Sequence, residues 1–239
     1  MFELGRRFIL RNKHFILTLI VLATVMISLS ACGGNSSGNN KSSEGQKKDL
    51  EVQIVESGYS VNADSNIINY AFVIQNPNDA TAYDFPKVNV TAYDENNQVL
   101  ANHEQTMHHI EPGEKQAFGA PMSSNGKAPT KVDFTVSSGE KTSPSDQQIK
   151  SSDLIISGVN ERPDMFSTKY TGTVKNNSAI DTSMIGVTVI LKNGGQIVYG
   201  TTTFVNDVKA GAEKPFEVST MGTIPEHDAV EVTAIQWGY

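Results

Sequence analysis

The sequence predicts an all-β protein of two tandem small β-sandwiches, and three observations carry that prediction. Short runs of alternating apolar and polar residues recur through residues 50–136 and again through 153–239. Clusters of Asn, Asp, Gly and Pro punctuate them. The second stretch repeats the first at a nearly constant spacing, and no window carries the 3.6-residue period of an amphipathic helix.

The chain starts with a leader. Arg6, Arg7, Arg11 and Lys13 make a basic opening, and residues 15–29 follow as 15 residues without a charge. That is short of the roughly 20 residues that span a bilayer and right for the apolar core of an export signal. Leu29-Ser30-Ala31-Cys32 comes next, and Cys32 is the only cysteine. This motif resembles the lipobox of bacterial lipoproteins, Leu-[Ala/Ser]-[Ala/Gly]-Cys. The resemblance implies diacylglycerol on the Cys32 thiol and signal cleavage between Ala31 and Cys32. Residues 1–31 are then a lipoprotein signal peptide, and the mature chain is held by lipid on the extracytoplasmic face of a cell membrane. An uncleaved apolar anchor, or an ordinary signal leaving a free thiol, are the alternatives. A single unpaired cysteine in an exported chain favours the lipidated one. At about 0.8 kcal/mol per buried CH₂, two acyl chains hold a soluble body stably on a bilayer.

Four of the 19 basic and one of the 26 acidic residues lie in the leader, so the 208 residues that remain carry 15 basic and 25 acidic side chains. An acidic surface argues against nucleic acid and against direct attraction to anionic headgroups. No disulfide can form within the chain, so stability must come from apolar cores, which 208 residues can supply.

Residues 32–49 read as the lipidated cysteine and a flexible tether. Residues 33–49 contain no apolar side chain beyond glycine, cannot bury surface against their ordering entropy, and are expected to be disordered. As a Gly/Ser-type coil they span roughly 20–25 Å on average. The tether is similar to those of Gram-positive surface lipoproteins. A second polar stretch, residues 137–152, has Ile149 as its one aliphatic residue and reads as a linker between the sandwiches.

The two sandwiches, residues 50–136 and 153–239, are related by duplication. Tyr70, Asn76 and Asn78 answer Tyr170, Asn176 and Ser178 at a spacing of 100. Ile110 and Phe118 answer Val208 and Phe216 at 98, and Val132 answers Val230 at 98. Between them, Val90-Thr-Ala-Tyr-Asp94 aligns with Val187-Thr-Val-Ile-Leu191. Strands are expected where Val52 and Ile54, then Ile68, Tyr70, Phe72 and Ile74, then Val88, Val90 and Ala92 alternate. Turns are expected at Asn76-Pro-Asn, Asp94-Glu-Asn-Asn, Glu111-Pro-Gly-Glu, Asn193-Gly-Gly and Lys209-Ala-Gly.

Residues 166–218 resemble the FxLYD domain of bacterial and archaeal surface proteins. The matching features are an aromatic-led strand into an Asn-rich turn at 170–178, a Val-rich strand and hairpin at 185–198, and a Gly turn into a Phe strand at 208–216. The first repeat carries the Val-Thr-x-Tyr-Asp element at 90–94, and the second departs there, with Leu191 aligned to the Asp. The resemblance implies an immunoglobulin-like sandwich in each repeat, a lipoprotein or cell-wall setting, and no catalytic residues.

Five groups of residues are candidates for chemistry or binding. His103, His108 and His109 are the densest histidine cluster, but strand geometry spreads them, and Thr201, Asn206 and Asp207 stand in their places in the second repeat. They read as solvated positions. Asp94-Glu-Asn-Asn-Gln begins like a calcium loop but has Val99 and Gln105 where that loop needs Gly and Glu, so it reads as a hairpin turn. Ser124-x-x-Lys127 and Ser138-x-x-Lys141 lack the companion motifs of penicillin-recognising enzymes. Asn76 and Asn176 read as turn-closing side chains, and Ile235, Trp237 and Tyr239 as one face at the edge of the second core. No metal site and no cofactor are expected. The expectation is a non-catalytic, membrane-anchored lipoprotein that binds an envelope protein or a cell-wall component, the alternative being a solute-capturing lipoprotein that serves a transporter or sensor.

Overall fold

The computed structural model describes residues 49–62, 65–164, 167–220 and 224–238. Residues 1–48, read from sequence as leader, lipidated cysteine and tether and including Ala31 and Cys32, lie outside the described residues, as does Tyr239. Among the described residues no helix is long and apolar enough to cross a membrane.

The protein is all-β. Its strands are β1 (Gln53–Val61), β2 (Ile67–Gln75), β3 (Ala82–Asp84), β4 (Lys87–Tyr93), β5 (Val99–Thr106), β6 (His109–Ile110), β7 (Lys115–Ser123), β8 (Lys131–Ser137) and β9 (Glu140–Thr142) in the first half. A 3-10 turn at Ser151–Asp153 leads into β10 (Leu154–Pro163), β11 (Thr168–Asn176), β12 (Thr182–Asn193), β13 (Gln196–Val208), β14 (Glu213–Ser219) and β15 (Ala229–Gly238). Sheets β1-β2-β7 and β5-β4-β8 face each other in the first sandwich, and β10-β11-β14 and β13-β12-β15 in the second. The duplication thus extends to topology, strand for strand across these four sheets. Both sandwiches have the A-B-E and C′-C-F order of an immunoglobulin sandwich. The small sheet β6-β3-β9 belongs to the first half.

Alternation builds each core. Ile68, Tyr70, Phe72 and Ile74 on β2 meet Val88, Val90 and Ala92 on β4. Tyr170 and Val174 on β11 meet Ile185, Val187, Val189 and Leu191 on β12. Register corrects the sequence alignment between them. Val90 pairs with Phe134 and His103, whereas it is Val189 that pairs with Val232 and Thr201. Val90 therefore answers Val189, and Asp94 answers Asn193 rather than Leu191. Both Asp94 and Asn193 open the hairpin, and the second hairpin is one residue shorter. Gly194 and Gly195, at φ +58° and +79°, fit the two-residue turn with both central residues left-handed.

β2 and β12 are buried on both faces. Their second faces meet each other's sandwich, where Ala71, Val73 and Ala117 pack on Ile190 and Ile197. Small residues let the backbones touch. A Cβ on Gly119 would stand 2.5 Å from the carbonyl carbon of Gly200, and one on Gly58 or Gly200 would overlap Ile197 or Ala71. The Gly119 N–H donates to Thr202 Oγ1 at 3.1 Å, and Thr188 Oγ1 donates to the Ala117 carbonyl at 3.2 Å. The body is a stack of four sheets with β1-β2-β7 and β13-β12-β15 in the middle.

Residues 137–152, read from sequence as a linker, are built into this stack. Ser137 ends β8, β9 pairs with β3, and Ile149 is buried in the second core. The Ile149 N–H donates to Gln236 Oε1 at 2.7 Å. Ile235 and Trp237 pack against the first core, not at the edge of the second. Trp237 stacks on Phe118 at 5.4 Å and meets Phe204 at 5.2 Å.

Candidate functional site

Cys32 and Ala31 fall outside the described residues, so the geometry of the candidate site is that of the body alone. The three histidines do not converge. His103 lies on β5 with Nδ1 2.7 Å from the Tyr70 hydroxyl. His108 stands edge-on to Phe85 at 5.8 Å, and burial first, then His109, lowers its pKa against the pull of Asp84. His109 is not solvated, as its sequence position suggested, but buried. Its Nδ1 lies 2.6 Å from Asp84 Oδ1 and its Nε2 3.1 Å from Glu111 Oε1. Asp84 arrives from 25 residues away, and β6 sits in the small sheet, so the strand rule that spread His103 and His109 along one strand does not apply. Among the described residues no group of three or more His, Cys, Asp or Glu is arranged to hold a metal ion.

The remaining candidates close turns or tie distant segments together. Asp94 Oδ1 accepts the N–H groups of Asn96 and Gln98, both at 2.9 Å, so its carboxylate serves the hairpin. Ser124 is fully buried, with Oγ between the carbonyls of Asn66 and Lys127. Ser138 Oγ accepts the Val52 N–H at 2.9 Å and donates to the Glu51 carboxylate. Asn76 and Asn176 are fully buried and make matching bonds. Asn76 Nδ2 donates to the Thr81 and Ile110 carbonyls at 2.8 and 3.2 Å, and Oδ1 accepts the Asn78 N–H at 3.1 Å. Asn176 Nδ2 donates to the Ile180 and Val208 carbonyls at 2.7 and 3.3 Å, and Oδ1 accepts the Ser178 N–H at 3.1 Å. Each Asn ties the end of its strand to two other segments, more than the single turn expected.

What sequence reasoning missed is a groove of about 830 Å³ beside the seam between the sandwiches. Three strands border it, each with consecutive residues: 115–117 at the start of β7, 154–156 of β10 and 231–235 of β15. Neighbouring residues of a strand point to opposite faces, so a lining of consecutive residues places the groove along strand edges rather than over a sheet face. Its walls are mainly apolar, with Ile155 46% exposed. Lys115 and Lys150 stand near Ser151 at one end, where Ser151 Oγ donates to the Lys115 carbonyl. Glu56 and Glu231 stand at the other, joined by Lys192 Nζ at 2.6 and 2.8 Å. Burial raises the Glu114 pKa, while the N–H groups of Glu111 and Ser151 that its carboxylate accepts hold it down. The sequence signal for this seam is the apolar run of residues 70–74 in β2 and of 189–191 in β12, the mark of strands covered on both faces.

Fold and groove together define the class, an all-β protein of two stacked immunoglobulin-like sandwiches. No family model matches the chain. No curated protein matches it either. Among solved structures it is similar to red sea bream transglutaminase, at 7% identity and a TM-score of 0.26 over 79% of this chain and 31% of that one. The chain thus spans about a third of that structure's length.

Proposed function

We propose that this chain is a non-catalytic surface lipoprotein, anchored through lipid on Cys32 at the extracytoplasmic face of the membrane, whose body binds an envelope protein or a cell-wall component. The observation that carries the reading is the lone cysteine at the end of Leu29-Ser30-Ala31-Cys32, behind a basic start and an uncharged apolar run. Support comes from the candidate catalytic and metal-binding side chains, which are spent on turns and buried networks. The FxLYD resemblance fits the same setting.

The test is expression of the full chain and of Cys32→Ser in a bacterium fed labelled palmitate. Label on the parent but not on the variant, with the body open to external protease, is the expected result. An unlabelled parent would sink the anchor. Pull-down of the tagged full chain from native envelope then asks for one dominant partner. A solute-capturing role is the second reading, favoured by a groove of about 830 Å³, within the size range of small-molecule sites. A melting-temperature rise of several degrees with one metabolite would promote it.

A further inference from the structure

We infer that the groove beside the seam accepts an extended segment of a partner polypeptide, added as a strand to the free edge of β15. The inference deepens the interaction-module reading and rests on it. β15 is the F strand of the second sandwich, and in an immunoglobulin sandwich F pairs on its outer side with a further strand. Here β15 pairs with β12, and no other strand among the described residues flanks it. β7 likewise pairs only with β2, and β10 only with β11. Side chains already serve the β7 edge, since Ser151 and Thr188 donate to the Lys115 and Ala117 carbonyls, whereas no ladder among the described residues uses the outer edge of β15. A partner's extended backbone satisfies such an edge, as in strand-addition complexes, whereas an apolar solute does not.

Size and charge narrow the partner. Residues 231–235 offer five positions, and at about 3.3 Å each they match a strand of ordinary length. The apolar lining takes apolar side chains at alternate positions. The groove is also polarised. Lys115 and Lys150 outnumber Glu114 at the Ile235 end, and Glu56 and Glu231 outnumber Lys192, which bridges them, about four residues away along the strand. An acidic side chain at the first end and a basic one at the second complement it. The groove is also continuous with the seam, since Ala117 and Ile190 belong to both.

The experiment selects short linear peptides, displayed on phage, against the full chain in detergent, and then follows amide hydrogen exchange with the best peptide bound. The expected result is a set of peptides with alternating apolar residues that slow exchange in residues 231–235 by about tenfold or more. Ile155→Asp, at an exposed position that leaves the cores untouched, should weaken them by at least about tenfold without moving the melting temperature. Lys115→Glu with Lys150→Glu should discriminate against those with an acidic end. No enriched peptide, or protection elsewhere than along β15, overturns the inference. So does protection of β15 that rises with protein concentration and no peptide, which assigns the edge to a second copy. A lipidated chain that holds an envelope partner while β15 exchanges freely would overturn the groove and leave the module reading standing.

Discussion

Gly200 of β13 lies against Ala71 of β2 so closely that a side chain on the glycine would occupy the space of the alanine methyl. This contact fixes the distance between the two middle sheets. Gly200→Val would force them apart, and overpacking of this kind costs about 1–3 kcal/mol. The expected outcome is a lower melting temperature and a transition split in two, read by calorimetry. A variant that melts as the parent does would show that the seam yields easily.

Asn76→Ala and Asn176→Ala should each destabilise the body by about 1–3 kcal/mol, because each leaves two carbonyls with a lost donor in a buried setting. The two costs should be similar, since the bonds match. Denaturant unfolding of both variants checks this. A neutral Asn176→Ala would mean that water replaces the side chain.

Lys192→Met should loosen the seam on the groove side. Burial pulls the Lys192 pKa down, but Glu231 and Glu56 outweigh it and the net shift is upward. A raised cation stabilises the fold fully below its unfolded pKa, and that contribution is lost as pH rises through the folded value. The parent should therefore exceed the variant at neutral pH by about 1 kcal/mol, discounted for two half-exposed carboxylates, and the gap should close only above about pH 10.5. Urea melts at neutral and strongly alkaline pH measure it.

Tyr70 and Tyr170 should ionise only well above the ordinary tyrosine value. Burial raises both, and Glu161 adds to the effect at Tyr170. The fold keeps both phenols neutral, so the stability this brings is fully present below the ordinary tyrosine value near 10 and is lost as pH climbs towards the raised one. Ultraviolet titration should show ionisation of Tyr70 and Tyr170 coinciding with loss of β-sheet circular dichroism. Full tyrosinate absorbance in a protein that is still folded would contradict it.

Much of this fold was legible in the chain. Period-two alternation placed β2 and β4, and the matching Asn76 and Asn176 marked the duplication. The misalignment of Val90 with Val187 has a physical origin. Val187-Thr188-Val189 repeats every two residues, so a slip of two keeps every side chain on its face and leaves no contradiction in the pattern. His109 misled because its burial is made by Asp84 and Glu111, which only the small sheet brings to it. The polar composition of residues 137–152 concealed Ile149 and β9. The groove was not legible, since a strand edge is defined by the neighbour a strand lacks, and sequence records only its side chains. Ala31 and Cys32 stand on sequence alone.

The seam also bears on how such a chain can change. Copying one sandwich made two, yet the copies no longer separate freely. Released from its neighbour, the second would present Ile190, Ile197 and Trp237 to water, and the first Ala71, Val73 and Phe118. Apolar faces of that kind promote aggregation. Recombination that swaps one sandwich for a foreign domain is therefore selected against. The repeat is a unit of ancestry, and the pair is the unit of inheritance.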